Sequence, residues 1–391
     1  MRIAFVTETF LPKIDGIVNT LCHLLDYLAL KGHQSILFAP HGGPQQYANT
    51  PIIGRPAWRF PLYPELNLVP PINTGIEKVF ADFKPDVVHL VNPAVFGLAG
   101  LKAAKKRRIP IVASYHTDIP GFARRWGFSF IAKPLWDYFT WIHNQADLNL
   151  CPSQATRTEL QEHGIKNVKL WKRGVNTNQY HPSHRSQEHR SRLTRGNETA
   201  PLLLYVGRLS MEKRVDWLLP VIRSIPEARL AIVGDGPMRM ALESMFAGTN
   251  TVFTGYLSGN ELAKAYASAD IFVFPAANET FGNVILEAMA SNLPVIAPDT
   301  GGVTDLICDG INGLLFPAEQ KSALINRVRE LVQDRSRARQ MGTNGRAFAE
   351  TQSWSSIFDR LLHNYSLLVR QHSMRLNKIP KNKRGFLTLP E

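Results

Sequence analysis

Strand and helix signals alternate along the whole chain, and this alternation restricts the fold to parallel sheets that are covered by helices. In the first half, apolar runs predict strands at residues 2–7, 35–39, 86–91, 110–114 and 147–151. A second set of apolar runs predicts strands at residues 202–206, 229–233, 251–254, 270–274 and 294–297. A chain of 391 residues is too long for one hydrophobic core. The sequence therefore predicts an α/β fold of two doubly wound domains that face each other, with the ligand in a central cleft at the carboxyl ends of the strands.

The same signals divide the chain into five segments. Residues 1–182 predict the first domain and residues 201–353 the second. Between them, residues 183–200 are polar, charged and without periodicity, which predicts a linker or a surface excursion. Residues 354–371 predict C-terminal helices, and residues 372–391 predict a basic tail that prolines interrupt.

Basic charge is concentrated in the first half and at the end of the chain. The formal net charge is +13, and residues 1–200 hold 24 Lys and Arg against 14 Asp and Glu, a net of +10. Residues 201–370 carry a net of −1, whereas the last 21 residues carry +4. A basic surface attracts either nucleic acid or an anionic bilayer. Because the chain has no base-stacking motif and no zinc finger, we expect an anionic membrane surface as a partner and no nucleic acid.

Cysteine usage and hydropathy predict a cytoplasmic protein without a membrane span. The three cysteines, Cys22, Cys151 and Cys308, are an odd number, and their scattered spacing predicts neither a disulfide framework nor a metal site. No apolar run approaches the roughly 18 residues of a membrane span, and no signal peptide precedes the first predicted strand. We therefore expect the protein to lie peripherally on the cytoplasmic face of a membrane.

Two carboxylates eight residues apart, Glu279 and Glu287, flank a Phe-Gly turn between a predicted strand and a predicted helix. Gly282 and Asn283 lie where that helix begins, because apolar residues recur at helical spacing from Val284 onward. A helix start offers unpaired amides and a partial positive charge to an anion. The segment can therefore hold a diphosphate and accept hydrogen bonds from hydroxyls. An acidic loop before an ordinary amphipathic helix would show the same pattern.

This motif resembles the signature of the retaining glycosyltransferases of family 4, a Glu followed by seven residues and a second Glu. The resemblance implies two facing Rossmann-like domains, the GT-B fold, in which the first domain binds the acceptor and the second binds the nucleotide sugar. The helices at residues 354–371 would return to the first domain. Glu279 would bind hydroxyls of the donor sugar and Glu287 the ribose. The segment between them would bind the distal phosphate, through Thr280, Phe281, Gly282, Asn283 and Val284.

Two cations, Arg208 and Lys213, follow the first predicted strand of the second domain. A guanidinium can bind two oxygens of a leaving diphosphate and an ammonium adds a point charge, so the pair can neutralise that group without a metal. Solvated surface cations are the alternative. The family resemblance implies that Arg208 and Lys213 replace the divalent metal of other glycosyltransferases, and the sequence has no Asp-x-Asp motif. We therefore expect a UDP-sugar as the donor substrate, with no divalent metal and no other cofactor.

Three further candidate positions follow predicted strands. Gly16 lies at a helix start after the first strand, which suits either a bound phosphate or close helix packing. His116 follows the strand at 110–114, where a histidine is either structural or a ligand of the substrate. The resemblance implies that a neutral His116 hydrogen-bonds the donor near C6. It also places Leu257 where the backbone contacts the nucleotide base.

Longer strings resemble one branch of the family, the sulfolipid synthases, and they lie at residues 7–18, 92–100, 143–147 and 170–177. The chain departs from that branch at Asn176, where the pattern usually has Asp, and its Phe-Gly-Asn turn is shared with mannosyl and glucosyl transferases. The resemblance implies transfer of sulfoquinovose from UDP-sulfoquinovose to diacylglycerol. Lys13 and Arg173 are our candidate partners for the sulfonate, because both follow predicted strands.

Other functions stay open at this point. One is a mannosyl- or glucosyltransferase that acts on diacylglycerol, phosphatidylinositol or another glycan acceptor. Another is a nucleotide-sugar-binding protein without turnover, which the presence of both carboxylates and both cations argues against.

Residues 122–130 interleave aromatics with cations, which predicts either an interfacial segment or a buried aromatic cluster with a solvated Arg pair.

Overall fold

The structure is a computed structural model that describes residues 1–13, 15–60, 63–72, 74–125, 127–277 and 279–378. The chain forms two compact units. The first comprises Met1–Pro152, Arg157–Trp171 and the residues from Phe358 onward, and the second comprises Ser153–Thr156 and Lys172–Ile357. Each unit has its own parallel sheet and its own hydrophobic core.

The strands of the first unit are β1 (Arg2–Thr7), β2 (Gln34–Pro40), β3 (Gln46–Tyr47), β4 (Thr50–Arg55), β5 (Trp58–Phe60), β6 (Tyr63–Leu68), β7 (Val87–Val91), β8 (Ile111–Ser114), β9 (Leu148–Cys151) and β10 (Val168–Leu170). Eight of them form a sheet in the order β10-β9-β8-β7-β1-β2-β4-β3, and β5 and β6 form a separate antiparallel pair. Within the large sheet β3 and β4 are antiparallel, and the other neighbours are parallel. The apolar run of β1 is fully buried, as expected for a strand that helices cover on both faces.

Helices of the first half cover this sheet, and they are α1 (Gly16–Leu30), α2 (Ile76–Phe83), α3 (Gly97–Lys106), α4 (Ile119–Arg125), α5 (Ser129–His143) and α6 (Gln154–Glu162). The strands of the second unit are β11 (Leu202–Val206), β12 (Arg229–Val233), β13 (Thr251–Gly255), β14 (Ile271–Val273), β15 (Val295–Pro298) and β16 (Gly313–Phe316). They form a parallel sheet in the order β13-β12-β11-β14-β15-β16.

The remaining helices are α7 (Gln187–Thr194), α8 (Leu218–Ser224), α9 (Arg239–Met245), α10 (Gly259–Ser268), α11 (Asn283–Ala290), α12 (Lys321–Gln333), α13 (Arg335–Glu350) and α14 (Trp354–Lys378). Short 3₁₀ turns lie at Pro182–His184, Met211–Lys213, Val215–Trp217 and Gly301–Asp305. The prediction of two doubly wound α/β domains is confirmed.

Strand order reverses at one central strand in each sheet. In the first sheet β1 lies between β7 and β2, and in the second β11 lies between β12 and β14. Ligands of doubly wound sheets bind next to such reversals, beyond the carboxyl ends of the strands. Gly16 and Arg208 follow the reversing strands themselves, and Glu279 follows β14, the neighbour of β11.

The prediction of a linker or surface excursion at residues 183–200 misses helix α7. Ser186 caps the helix by accepting from the amide of His189, and the buried face consists mostly of polar groups. Arg190 is buried because its guanidinium donates to the carboxylate of Asp270 at 2.8 Å and to the carbonyl oxygens of Glu198, Ser268 and Ala200. Paired in this way, a charged side chain can be buried without the apolar periodicity that predicts a helix.

The last described helix, α14, is a single helix that extends past the predicted end at residue 371. The first seven residues of the predicted tail, 372–378, are therefore helical, and residues 379–391 lie outside the described chain. From Phe358 onward α14 belongs to the first unit. Tyr27 of α1 donates to Asp359 at 2.5 Å, and Tyr365 is fully buried.

Candidate active site

The loops after β11, β12 and β13 are hydrogen-bonded to one another. The amide of Gly207 donates to Val233 at 3.0 Å, and the amide of Gly234 donates to Gly255 at 2.9 Å. A Cβ at Gly234 would lie 1.9 Å from the carbonyl oxygen of Gly207, and a Cβ at Gly236 would lie 2.5 Å from that of Leu209. Side chains cannot be placed at either glycine, so these turns fix the backbone on both sides of Arg208.

Lys213 and Glu279 form an ion pair that joins the loop after β11 to the loop after β14. The Nζ atom of Lys213 lies 2.9 Å from Oε2 of Glu279, and the two side chains are 24% and 21% exposed. Burial lowers the pKa of Lys213, but the charge and hydrogen bond of Glu279 outweigh it and raise that pKa above its ordinary value. The positive charge of Arg208 also acts on Lys213, in the opposite direction. The structure thus brings together the candidates Arg208, Lys213 and Glu279.

A pair of glycines that the sequence analysis did not single out supports the backbone of this loop. The amide of Gly302 donates to the carbonyl oxygen of Glu279 at 2.8 Å. A Cβ at Gly302 would lie 2.1 Å from the carbonyl oxygen of Thr280, and one at Gly301, where φ is +65°, would lie 2.7 Å from that of Glu279. The 3₁₀ turn after β15 therefore packs directly against the backbone of the Phe-Gly turn.

The start of α11 is the anion site that the motif predicts. Gly282 precedes the helix with φ +96°, in the left-handed region, and no described side chain caps the helix. The first amides of a helix, here those of Asn283 and Val284, have no partner within it. Phe281 is buried in the hydrophobic core, so it can contribute its backbone but not its ring to a ligand.

Glu287, one turn into α11, is held by two tyrosines from other elements. Tyr266 of α10 donates to its Oε2 atom at 2.9 Å, and the hydroxyl of Tyr180 is also hydrogen-bonded to it. Burial raises the pKa of Glu287 to about 7, and the two phenols lower it only in part. Arg346 of α13 fixes the Tyr180 backbone by donating to its carbonyl oxygen at 2.9 Å. Near neutral pH this carboxyl is therefore close to its titration midpoint.

Gly16 opens α1, but a carboxylate of the protein occupies the amides that follow it. Asp15 caps the helix and accepts from Ile17 and Val18, each at 2.9 Å. Lys13 lies 3.2 Å from the same carboxylate. In this conformation a phosphate at Gly16 would share the helix start with Asp15, which differs from the open helix start that the sequence predicts.

His116 follows β8 and is held on both its backbone and its ring. Its amide donates to Oδ1 of Asn92 at 3.1 Å, and its Nε2 lies 2.8 Å from Oγ of Ser114. Its ring also lies against the edge of Trp171, with 5.4 Å between the ring centroids. Gly16 and His116 belong to the first unit, and the other ten candidates belong to the second: Arg208, Lys213, Leu257, Glu279, Thr280, Phe281, Gly282, Asn283, Val284 and Glu287.

The predicted interfacial segment at residues 122–130 is described only in part. Trp126 lies outside the described residues, whereas Phe130, at the start of α5, is 77% exposed. A ring this exposed fits an interfacial segment better than a buried cluster. The described helices include none that is both long and apolar enough to cross a bilayer.

Neither is there, within the described ranges, a group of three or more His, Cys, Asp or Glu side chains that could hold a metal ion. Metal independence itself stays a prediction.

Known protein families match both halves of the chain. The Glycosyltransferase Family 4 profile matches residues 14–179, and the Glycosyl transferases group 1 profile matches residues 186–348. Sulfoquinovosyl transferase SQD2 of Arabidopsis thaliana is 37% identical over 90% of this chain and 71% of its own length. The chain belongs to glycosyltransferase family 4. It is an enzyme that acts on sugar donors.

Other matches support the same assignment. A GDP-mannose-dependent alpha-mannosyltransferase of Mycobacterium tuberculosis is 40% identical to this glycosyltransferase, over 93% of the chain and 96% of its own length. The crystal structure of Anabaena HepE in complex with UDP superposes with a TM-score of 0.76 at 19% identity, covering 94% of this chain and all of that one. The GT-B fold expected from the sequence is confirmed.

Four residues that shape the surroundings of Glu279 and Glu287 in this glycosyltransferase are not among the predicted site residues. Tyr180 and Tyr266 hold Glu287, and Gly301 and Gly302 support the Glu279 backbone. The glycine pair directly after the strand predicted at 294–297 was a usable signal, because paired glycines mark turns and close approaches of the backbone. Nothing in the sequence around Tyr180 or Tyr266 connects them with Glu287, which is 107 and 21 positions further along the chain.

Proposed function

We propose that this glycosyltransferase is retaining and metal-independent and that it transfers a hexose from a nucleoside diphosphate to a membrane lipid. The observation that supports the proposal is the Lys213–Glu279 pair, in which a cation that could bind a diphosphate lies beside a carboxylate that could bind sugar hydroxyls. Arg208 adds a second cation to the leaving group. The open start of α11 receives the distal phosphate, and Glu287 receives the ribose.

The reaction needs no nucleophile from the protein. The bond from the sugar C1 to the diphosphate oxygen breaks, and the acceptor hydroxyl forms its bond to C1 on the same face. The departing phosphate takes the acceptor proton. Negative charge develops on that phosphate as the bond breaks, and Arg208 and Lys213 stabilise it where it forms. As Lys213 stabilises the phosphate, its hydrogen bond to Glu279 weakens. The carboxylate then becomes available to the sugar.

Sulfoquinovose is the donor sugar that we propose first, with diacylglycerol as the acceptor. The support is the 37% identity to the Arabidopsis sulfoquinovosyl transferase together with the strings at residues 92–100, 143–147 and 170–177. A sulfonate needs a cation or a donor that a neutral hexose does not need. Of our two candidates, Arg173 is only 4% exposed, whereas Lys13 is 33% exposed and pairs with Asp15. Lys13 is therefore the better-placed partner.

Mannose from GDP-mannose is the second candidate donor, because the mycobacterial mannosyltransferase matches more of its own length than the sulfoquinovosyl transferase does. A thermal-shift titration with UDP-sulfoquinovose, UDP-glucose and GDP-mannose separates the two. A true donor at 100 times its Kd stabilises the fold by about 2.7 kcal/mol. Transfer of labelled sugar from the stabilising donor to diacylglycerol in vesicles then tests the acceptor.

Charge variants test the sulfonate partner. Lys13→Ala should weaken UDP-sulfoquinovose more than UDP-glucose, by about 1 to 3 kcal/mol for a lost charged hydrogen bond. Lys133→Ala is the matched control, because its side chain is 86% exposed and pairs with Asp137 on the same helix. Equal losses for all donors, or wild-type turnover of UDP-glucose or GDP-mannose alongside UDP-sulfoquinovose, would remove the sulfolipid assignment and leave the broader lipid glycosyltransferase.

The membrane surface is the third part of the proposal. Residues 1–200 carry a net charge of +10, and Phe130, which lies among them, is exposed. Positive charge attracts anionic lipids, and an exposed aromatic ring can enter the headgroup region. We propose peripheral binding on the cytoplasmic face of a membrane, where a lipid acceptor is within reach.

A further inference from the structure

A buried chain of hydrogen bonds in the first unit links the C-terminal helix α14 to His116. The hydroxyl of Tyr365 lies 2.6 Å from Nδ1 of His89. The other ring nitrogen of His89, Nε2, lies 2.8 Å from Oγ of Ser114, and Nε2 of His116 lies 2.8 Å from the same Oγ. Tyr365, His89 and Ser114 are fully buried. Trp171 packs against both imidazoles, with centroid distances of 5.3 and 5.4 Å.

The number of available protons restricts which groups donate and which accept in this chain of hydrogen bonds. A serine hydroxyl has one proton and two lone pairs, so it either donates to one imidazole nitrogen and accepts from the other, or accepts from both. Accepting from both would leave the buried hydroxyl proton of Ser114 without an acceptor among the described hydrogen bonds, so that arrangement is disfavoured. If Ser114 donated to His89, Nδ1 of His89 would carry a proton and would donate to Tyr365. The hydroxyl proton of Tyr365 would then need another acceptor, whereas the described residues give this hydroxyl a hydrogen bond to His89. A buried phenol without an acceptor is costly, so this direction is disfavoured.

In the opposite direction every group in the chain is satisfied. Tyr365 donates to Nδ1 of His89, Nε2 of His89 donates to Ser114, and Ser114 donates to Nε2 of His116. We propose that Tyr365, His89 and Ser114 are positioning residues that hold His116 neutral, with its proton on Nδ1. At Nδ1, His116 is then a hydrogen-bond donor and not an acceptor.

The role of this tautomer in transfer rests on the proposed function. A donor nitrogen suits a sugar substituent that only accepts hydrogen bonds, and a C6 sulfonate is such a group, whereas a C6 hydroxyl both donates and accepts. A hydroxyl can pair with either tautomer of His116, whereas a sulfonate can pair only with the Nδ1-protonated one, so binding of the sulfonated sugar would depend on the tautomer more strongly. This dependence would originate in α14, which holds Tyr365 and contains none of the predicted site residues.

Nitrogen NMR of ¹⁵N-histidine-labelled protein without substrate tests the tautomer directly, because the shifts of a protonated and an unprotonated ring nitrogen differ. A His116→Gln sample assigns the His116 signals. We expect wild-type His116 to be protonated on Nδ1 and unprotonated on Nε2. Protonation on Nε2 in the wild type would overturn the proposal. Since no substrate is present, this result stands whether or not the proposed function is correct.

Removing the hydroxyl of Tyr365 should remove the preference of His116 for one tautomer. In Tyr365→Phe the ring packing is kept, but the reversed chain no longer leaves a hydroxyl unsatisfied, so we expect His116 to show both tautomers. Transfer should fall roughly 3- to 10-fold in kcat/KM, the equivalent of about one hydrogen bond. Ser114→Ala, which cuts the chain next to His116, is the second variant if Tyr365→Phe does not fold.

Tyr27→Phe is the matched control, because Tyr27 also forms a hydrogen bond to α14, through Asp359, but is not part of the buried hydrogen-bond chain from Tyr365 to His116. We expect it to keep the wild-type tautomer and activity. Two outcomes contradict the proposal: an unchanged Nδ1-protonated His116 in both Tyr365→Phe and Ser114→Ala, or the same change of tautomer in Tyr27→Phe. If the wild type transfers no sugar from any donor, the proposed function fails while the spectrum still decides the tautomer.

Discussion

Glu287→Gln should make the protein more stable at alkaline pH, although it removes a carboxylate that we assign to the donor. The reason is the environment of the side chain. Burial raises the pKa of Glu287 from 4.5 to about 7, so the folded state disfavours the charged form. Gln has nearly the same shape and is neutral at every pH, and its amide oxygen can still accept from Tyr266 or Tyr180.

The size and direction of the effect follow from linkage. Between pH 4.5 and 7 the folded state binds more protons at Glu287 than the unfolded state does, so the contribution to stability is full below pH 4.5 and is lost as pH rises through 7. One pKa unit corresponds to about 1.4 kcal/mol, which sets the upper limit of the loss at about 3 kcal/mol. A weaker hydrogen bond from one tyrosine costs about 1 kcal/mol in the variant. We expect Glu287→Gln to be about 1 to 3 kcal/mol more stable than the wild type at pH 8 and about equal to it at pH 5.

Chemical unfolding of both proteins at pH 5, 6, 7 and 8 measures this difference. Glu227→Gln is the control, because Glu227 is exposed in the same unit and the substitution removes the same charge. The stability difference should grow with pH for Glu287→Gln and stay flat for Glu227→Gln. A difference for Glu287→Gln that does not change with pH would show that Glu287 is ionised throughout and would refute the argument from burial. Donor affinity of the same variant should fall at all pH values.

Arg208→Ala and Lys213→Ala should each raise the barrier to transfer by about 2 to 4 kcal/mol while changing donor binding less, and full turnover in either variant would remove that residue from the mechanism. Transfer should survive EDTA; activity lost with the chelator and restored by magnesium or manganese would refute metal independence. Gly302→Ala should lower the free energy of unfolding by about 1 to 3 kcal/mol, because the Cβ of the alanine would lie 2.1 Å from the carbonyl oxygen of Thr280. An unchanged melting curve would show that the turn can move. The protein should sediment with anionic vesicles and dissociate as salt rises, whereas binding that salt does not affect would indicate insertion of an apolar segment instead.

Ten of the fourteen strands in the two large sheets could be predicted, because each is a continuous apolar run bounded by turn residues, whereas β3, β4, β10 and β16 are not among the predicted strands. A strand buried on both faces has no other composition available to it, as the fully buried residues of β1 and β11 illustrate. The start of α11 could be predicted for a similar reason, since Gly282 adopts a backbone conformation that other residues rarely adopt. These signals are local, and they specify the backbone around a site better than its side chains.

The parts that could not be predicted depend on polar groups that satisfy one another across the fold. Helix α7 buries Arg190 against three carbonyl oxygens and Asp270, so its buried face has no apolar period to detect. Gly16 predicts a helix start that is open to a phosphate, yet the carboxylate of Asp15 caps that helix. In both cases the residue type is ordinary for a loop, and only the position of its partners shows what it does.

The chemistry of the two candidate acids differs for the same reason, although the sequence presents them as a symmetrical pair. Glu279 faces the ammonium of Lys213 at 2.9 Å. Glu287 faces two neutral phenols in a buried site, where its pKa rises to about 7. A ribose has hydroxyls that can donate to a carboxylate, so a bound donor would supply Glu287 with the hydrogen bonds that stabilise its charged form. Donor binding should therefore be coupled to release of a proton from Glu287 below about pH 7, and binding enthalpies measured in buffers of different ionisation enthalpy would detect that proton. Equal enthalpies in all buffers at pH 6.5 would mean that the charge of Glu287 does not change when the donor binds.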